Sequence, residues 1–216
     1  LAVNKQGLTR REFVEGSSKL ALGGMIVPRH VLGGVGYQAP SDTLNVAIVG
    51  AGGRGADDAQ ELGSENIVAI CDVDFDLVTD KVAGLTSARD GVERPKVVRW
   101  KEQFASAARY SDFREMLEKQ SDIDAVLIAT PLYTHYQIVM DCLDAGLYVF
   151  CEKTMTMTIE ESRNIVEKCN ETGKFVQIGH QRHYNPYYNK AMWLANDKNM
   201  LGRITHITAQ WHRNES

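Results

Sequence analysis

The chain has 216 residues, enough for one large domain or two small ones. Hydrophobic residues make up 44% and charged residues 24%, a globular balance that argues against wholesale disorder. The formal net charge is −4, so no global basic excess advertises a nucleic-acid surface, and the longest apolar stretches, such as 125–129, are too short to cross a bilayer as a helix. Cys71, Cys142, Cys151 and Cys169 have no CxxC or Cys/His spacing. They lie in apolar strand or helix patterns and read as buried free thiols, the alternatives being one disulfide or a reactive thiol, with no metal expected.

Residues 1–43 read as an address segment followed by a linker. Thr9-Arg10-Arg11-Glu12-Phe13-Val14 resembles the twin-arginine export motif, and a modest apolar stretch from Leu20 to Val27 follows it up to Pro28. A basic segment ahead of a short apolar one is the pattern of a signal peptide and is set aside from fold reasoning. Residues 28–41 carry Gly and Pro and read as an arm or linker. The expectation is an exported, periplasmic protein that engages the twin-arginine export machinery.

The folded part opens with Leu44-Asn45-Val46-Ala47-Ile48-Val49, short, apolar and β-branched, which reads as a parallel strand buried on both faces. Gly50-Ala51-Gly52-Gly53-Arg54-Gly55 follows directly, then a helix over about 54–62 with Gly63 as its stop, then a strand over 66–71 that ends at Asp72. A lone GxGxxG is weak evidence, but strand, glycine turn, helix and acid-ended strand together match a dinucleotide-binding fingerprint. Gly50 permits the tight turn, Gly52 lets backbone approach a pyrophosphate, and Gly55 lets helix and strand pack closely. The N-terminus of the helix offers unpaired N–H groups to phosphates. Asp72 lies 22 residues after Gly50, where a carboxylate accepts hydrogen bonds from ribose hydroxyls and repels a 2′-phosphate. That favours NAD over NADP, with Arg54 as a partial offset to the repulsion.

The alternation continues. Helix is predicted over 74–83, irregular or helical chain over 86–109 with Trp100 and Phe104 packed on the domain, and an amphipathic helix over 111–119. A strand over 124–130, a helix over 134–145 stopped by Gly146, and a strand over 147–151 come next. Thr158-Ile159-Glu160-Glu161 is a capping box opening a helix to Gly173, and 175–179 is the next strand. Met192 and Trp193, on a further helix, read as core, and Tyr184, Tyr187 and Tyr188 as an aromatic cluster for sugar stacking or domain packing. Strands alternating with helices imply a doubly wound parallel sheet of the α/β class, with ligand at the carboxyl ends of the strands.

Three segments at those ends carry a resemblance. They are Tyr110–Leu117 ahead of Ile123–Pro131, then His135, then Tyr148-Val149-Phe150-Cys151-Glu152-Lys153. In this order they resemble the glucose–fructose oxidoreductase / inositol dehydrogenase family (Gfo/Idh/MocA), and the resemblance covers about residues 28–216. Gly179–Pro186 looks like the family's next strand end, and the segment from Leu201 to Trp211 looks like the first strand of its second domain. The family usually has proline after the Glu-Lys pair, where this chain has Thr154. Proline there makes a cis bond affordable, and threonine removes that help.

The resemblance implies a Rossmann domain over 44–180, followed over 181–216 by the start of an α+β open-sheet domain for substrate binding and oligomerisation. A single strand of such a sheet leaves an exposed edge, so the chain reads as part of a longer protein that forms homo-oligomers. Gly50, Gly52, Gly53, Arg54 and Gly55 would hold the pyrophosphate and Asp72 the adenosine ribose. Thr130, Pro131 and His135 would line the nicotinamide side, and Glu152 would bond its ribose or orient Lys153. Lys153 would meet both cofactor and the reacting hydroxyl, because a positioned ammonium can hold a developing alkoxide or relay its proton. Gln181, Arg182 and His183 are candidate substrate contacts. The implied activity is NAD-dependent oxidation or reduction of a ring hydroxyl on a sugar or cyclitol. The alternatives are a glycoside hydrolase or lyase of the same fold using transient oxidation, and a non-enzymatic binding paralogue.

Overall fold

The computed structural model describes Ala39 and residues 42–86, 88–89 and 92–210. The export-signal reading, centred on Arg10 and Arg11, lies outside the described residues. From residue 44 onward the chain builds β1 (Asn45–Val49), α1 (Arg54–Ala59), β2 (Asn66–Cys71) and α2 (Phe75–Gly84). A two-stranded hairpin, β3 (Ala88–Arg89) with β4 (Val92–Glu93), leads to α3 (Pro95–Ser106), β5 (Ala108–Tyr110) and α4 (Phe113–Lys119). Then come β6 (Ala125–Ile128), α5 (Leu132–Asp144), β7 (Tyr148–Cys151), α6 (Ile159–Thr172), β8 (Val176–Ile178) and α7 (Pro186–Met192), with a π-helical turn at Trp193–Asp197.

Six strands form one sheet in the order β5-β2-β1-β6-β7-β8, and every ladder in it is parallel. The doubly wound reading therefore holds. Successive side chains of β1 point to opposite faces. Ala47 and Val49 join Met116, Val139, Leu143 and Ile165 under α4, α5 and α6. Val46 and Ile48 join Ala56, Val78 and Trp100 under α1, α2 and α3. Both faces are covered, which is why the strands read as continuous apolar runs rather than alternating ones. One irregularity re-phases β2: Val46 pairs with Ile67 but Ala47 with Ala69, so Val68 is an extra residue and Ile67 and Ile70 share a face.

The element ends follow local chemistry. Asp74 and Asp112 cap α2 and α4 by accepting from Leu77 and Arg114 backbone N–H groups. The Thr158–Glu161 capping box is complete, and Gly173 ends α6 in the left-handed region at φ 69°. Helix α5 begins two residues earlier than predicted, directly after Pro131, whose fixed φ suits the boundary.

Three expectations need correction. Residues 108–110 form an edge strand inside the stretch read as irregular or helical. Residues 203–210 form no ladder, although the sequence suggested a strand there. A strand exists by pairing, and no described residues pair with this one. Met192 and Trp193 are exposed rather than core, because α7 lies outside both apolar clusters. The four cysteines are free thiols, and Cys71, Cys142 and Cys151 are buried.

Candidate functional site

The strand order reverses between β1 and β6, and their loops leave the carboxyl edge in opposite directions. Such a reversal opens a crevice. Here it is a groove of about 900 Å³, within the usual span of small-molecule sites. Gly50, Gly52, Gly53, Asp72, Thr130 and Pro131 all line it, as the sequence anticipated. Leu77, Phe113 and Tyr133 line it too, and they were missed. The available signal was positional: each sits in the first turn of the helix after β2, β5 or β6, where a crevice wall must be.

The glycines divide by task. Gly50 has φ 89°, and a side-chain carbon there would come within 2.9 Å of the Ala129 backbone. Gly55 is packed harder still: a Cβ would stand 2.1 Å from the Gly50 carbonyl oxygen. These two permit the turn and the close approach of helix to strand. Gly53 is different, since no atom lies within 4 Å of where its Cβ would be. It is also the N-cap of α1, and no side chain caps that turn. The start of a helix and the open space suit the oxygens of a pyrophosphate.

Asp72 leaves β2 at the groove. Its Oδ2 accepts from the backbone N–H groups of Ala51 and Gly52 at 2.7 and 2.9 Å, and its Oδ1 from Asp74 at 3.0 Å. One carboxylate thus shapes the glycine turn while presenting negative charge to whatever fills the groove. Charge-assisted bonds of this kind are stronger than neutral ones.

Arg54 does not face Asp72. Its Nη2 lies 2.7 Å from Asp58 Oδ1 and its Nε 3.5 Å from Glu152 Oε1. The expected offset to phosphate repulsion at Asp72 therefore falls away, because the guanidinium is committed to two other carboxylates. These three residues line a smaller cavity of about 150 Å³ together with Gln177, His180 and Gln181. Asp58 was not singled out from the sequence, although its spacing four residues after Arg54 marks a helical ion pair. Burial pushes its carboxyl up from 3.8 to about 6, with Arg54 pulling the other way, and its Oδ2 is buried without a hydrogen-bond partner.

Glu152 is buried at the end of β7. Its Oε2 accepts from the Lys153 backbone N–H at 3.1 Å, and its Oε1 fills the space beside Gly179, where a Cβ would come within 2.9 Å. Lys153 follows it into solvent, and the Lys153–Thr154 peptide is cis.

His135 is corrected outright. It is 1% exposed, with Nδ1 2.8 Å from the Thr154 carbonyl oxygen and Nε2 2.9 Å from the Thr130 carbonyl oxygen. Both nitrogens are engaged behind the groove wall, so the ring does not line it. Gln181, Arg182 and His183 are exposed and do not converge: Gln181 meets the smaller cavity, Arg182 covers the Tyr188 ring, and His183 sits beside His180. Burial pushes the Cys71, Cys142 and Cys151 thiols up to about 12, which removes them as nucleophiles.

This geometry agrees with the comparisons to known proteins. A model of the Gfo/Idh/MocA family, described as an oxidoreductase family with an NAD-binding Rossmann fold, matches residues 44–180. The chain belongs to the Gfo/Idh/MocA oxidoreductase family. It is 30% identical over 179 residues to an inositol 2-dehydrogenase of Arthrobacter sp. (strain FB24), covering 81% of this chain and 47% of that one. It is 40% identical over 77 residues to the scyllo-inositol 2-dehydrogenase (NAD(+)) of Bacillus subtilis, covering 36% and 22%. The solved myo-inositol 2-dehydrogenase of Lactobacillus plantarum superposes with a TM-score of 0.60 at 23% identity, over 75% of this chain and 43% of that one. The scyllo-inositol dehydrogenase of Lactobacillus casei, solved with NAD(H) and scyllo-inositol, gives 0.57 at 24%, over 76% and 43%. These two likenesses establish a shared fold. This family member spans about half the length, or less, of the relatives it matches. The groove lies wholly within the residues that match the NAD-binding Rossmann fold.

Proposed function

We propose that this family member is an exported NAD-dependent oxidoreductase acting on a ring hydroxyl of a cyclitol or sugar. The observation that carries the reading is a juxtaposition. A glycine turn and an acidic strand end flank the crevice, and Glu152-Lys153 ends the strand next to β6. The relatives named inositol 2-dehydrogenase support a cyclitol or sugar as the substrate class.

Each residue then has a task. The turn at Gly53, where α1 begins, binds the pyrophosphate, and Asp72 binds the adenosine ribose and repels a 2′-phosphate. Thr130 and Pro131 form the wall on the nicotinamide side. When bound, NAD supplies the hydride acceptor. At the reacting carbon's hydroxyl, the Lys153 ammonium stabilises negative charge on oxygen as the proton passes to solvent water. Glu152 fixes the Lys153 backbone and is itself held by Arg54. In this reading Gln181, at the smaller cavity, contacts a substrate hydroxyl. Export follows from the Arg10-Arg11 motif through the twin-arginine machinery, and association of copies through a further domain completes the reading.

The test uses the full-length protein. NAD reduction is followed with myo-inositol, scyllo-inositol and a panel of hexoses, alongside mass spectrometry of the protein as purified. NAD binding with turnover on at least one polyol is expected. Binding of NAD without turnover on any polyol overturns the proposed reaction, and failure to bind NAD overturns the reading of the crevice.

A further inference from the structure

We propose that His135 is a positioning residue that staples the loops after β6 and β7 to each other and thereby aims Lys153. The proposal rests on the oxidoreductase reading above. Strands β6 and β7 are adjacent and parallel, and the last backbone bond between them is Glu152 N–H to Ile128 C=O at 2.8 Å. Beyond that bond the two loops separate. Among the described residues, the next hydrogen-bonded link between them is the His135 ring, 2.8 Å from the Thr154 carbonyl oxygen and 2.9 Å from the Thr130 carbonyl oxygen.

The placement is specific in three ways. The ring comes from the first turns of α5, so a rigid helix sets its position. Both partners are carbonyl oxygens, so the single N–H of a neutral imidazole bonds one of them while the other ring edge packs against its partner, and the ring spans the two loops either way. The carbonyls it holds belong to Thr130, on the crevice wall, and to Thr154, the residue after Lys153. Fixing the Thr154 carbonyl fixes the backbone from which the lysine side chain projects. The contact reads only backbone, so it operates with threonine where the family usually has proline. A ring that is 1% exposed cannot touch cofactor or substrate, so its effect on chemistry runs through Lys153.

The experiment compares wild type, His135→Phe and His135→Gln in the full-length protein. Phenylalanine keeps an aromatic ring without a donor, and glutamine keeps an N–H donor. NAD affinity is read from fluorescence titration, kcat and KM from NAD reduction with myo-inositol, and loop order from amide hydrogen exchange. A misplacement of a catalytic group by about 1 Å costs on the order of a hundredfold, so kcat of His135→Phe should fall by about ten- to a hundredfold. Its NAD affinity should stay within about twofold, since the crevice wall is intact. Exchange should accelerate at 130–134 and 152–156 alone, and His135→Gln should recover part of kcat. Unchanged kcat, a loss confined to NAD affinity, or unchanged exchange at both segments overturns the proposal. If wild type turns over no polyol, the oxidoreductase reading falls and the exchange pattern still decides the staple. If the phenylalanine variant does not fold, the glutamine variant decides it: faster exchange at one of the two segments supports the staple, and unchanged exchange overturns it.

Discussion

Arg54 and Glu152 meet at the carboxyl edge of the sheet, with Nε of one 3.5 Å from Oε1 of the other. The same guanidinium holds Asp58 at 2.7 Å, so one cation on α1 serves two buried or half-buried carboxylates. This joins the glycine turn that would hold phosphate to the segment that carries Lys153. It also gives the molecule a pH-sensitive point.

Burial raises the Asp58 carboxyl from 3.8 to about 6. The folded protein therefore keeps this proton to higher pH than the unfolded chain does. The group's favourable contribution is full below about pH 4 and is lost as pH climbs through about 6. Asp58→Asn removes the titration. Its thermal midpoint should fall less than that of wild type between pH 4 and 7. Parallel midpoint curves for the two proteins would refute the assignment.

Under the proposed function, Asp72 selects the cofactor. Asp72→Ser removes an acceptor for ribose and also frees the amides of Ala51, Gly52 and Asp74. NAD affinity should fall by about 1–3 kcal/mol. Because the turn is disturbed for any dinucleotide, the informative readout is the ratio of NAD to NADP affinity in one titration series. Wild type should favour NAD, and the ratio should shrink in the variant. A wild type that prefers NADP sinks the ribose reading.

Gly55→Ala pushes a methyl against the Gly50 carbonyl oxygen, a backbone atom that has nowhere to go. Overpacking costs about 1–3 kcal/mol, and this contact belongs at the upper end. NAD binding should be lost with it, since the turn must open. Gly84→Ala is the control: it ends α2, and no atom lies within 4 Å of the added carbon. Its stability should hold or rise by up to about 1 kcal/mol. Equal chemical denaturation midpoints for the two variants would contradict the packing argument.

Export should depend on the shape of the arginine pair as well as its charge. Replacing both Arg10 and Arg11 by lysine keeps the positive charge and removes the guanidinium fork. Fractionation should then show the full-length protein retained in the cytoplasm. Unaltered periplasmic delivery would defeat the export proposal.

The sheet was legible in the sequence because its central strands are buried on both faces and therefore unbroken runs of Val, Ile, Ala and Leu. Strand β5 was not, since it is three residues long with exposed Arg109 in the middle, and an edge needs no apolar run. The glycine turn and Asp72 were legible because their backbone tasks admit few residue types. The direction of the His135 and Arg54 side chains was not. Spacing places a residue at a strand end, but only the packed neighbours decide which way it turns, and here they turned one ring to two carbonyls and one guanidinium to two carboxylates.

Lys153 carries the strongest prediction. It follows β7 next to buried Glu152, which anchors its backbone N–H at 3.1 Å, and its side chain is exposed. Lys153→Met keeps most of the length and removes the charge. If the ammonium stabilises oxygen during oxidation more than it binds cofactor, NAD affinity should survive while kcat falls by about a hundredfold or more, as for loss of a preorganised charge-stabilising donor. Lys153→Arg separates charge from geometry. It keeps the cation but presents a longer planar fork in place of a compact ammonium, so the donor misses the reacting oxygen and it should rescue little. The measurement is steady-state NAD reduction on a polyol that wild type turns over, with NAD titration in parallel. Turnover that Lys153→Met leaves intact would show that another group holds the developing charge. A loss confined to NAD affinity would recast Lys153 as a binding residue alone.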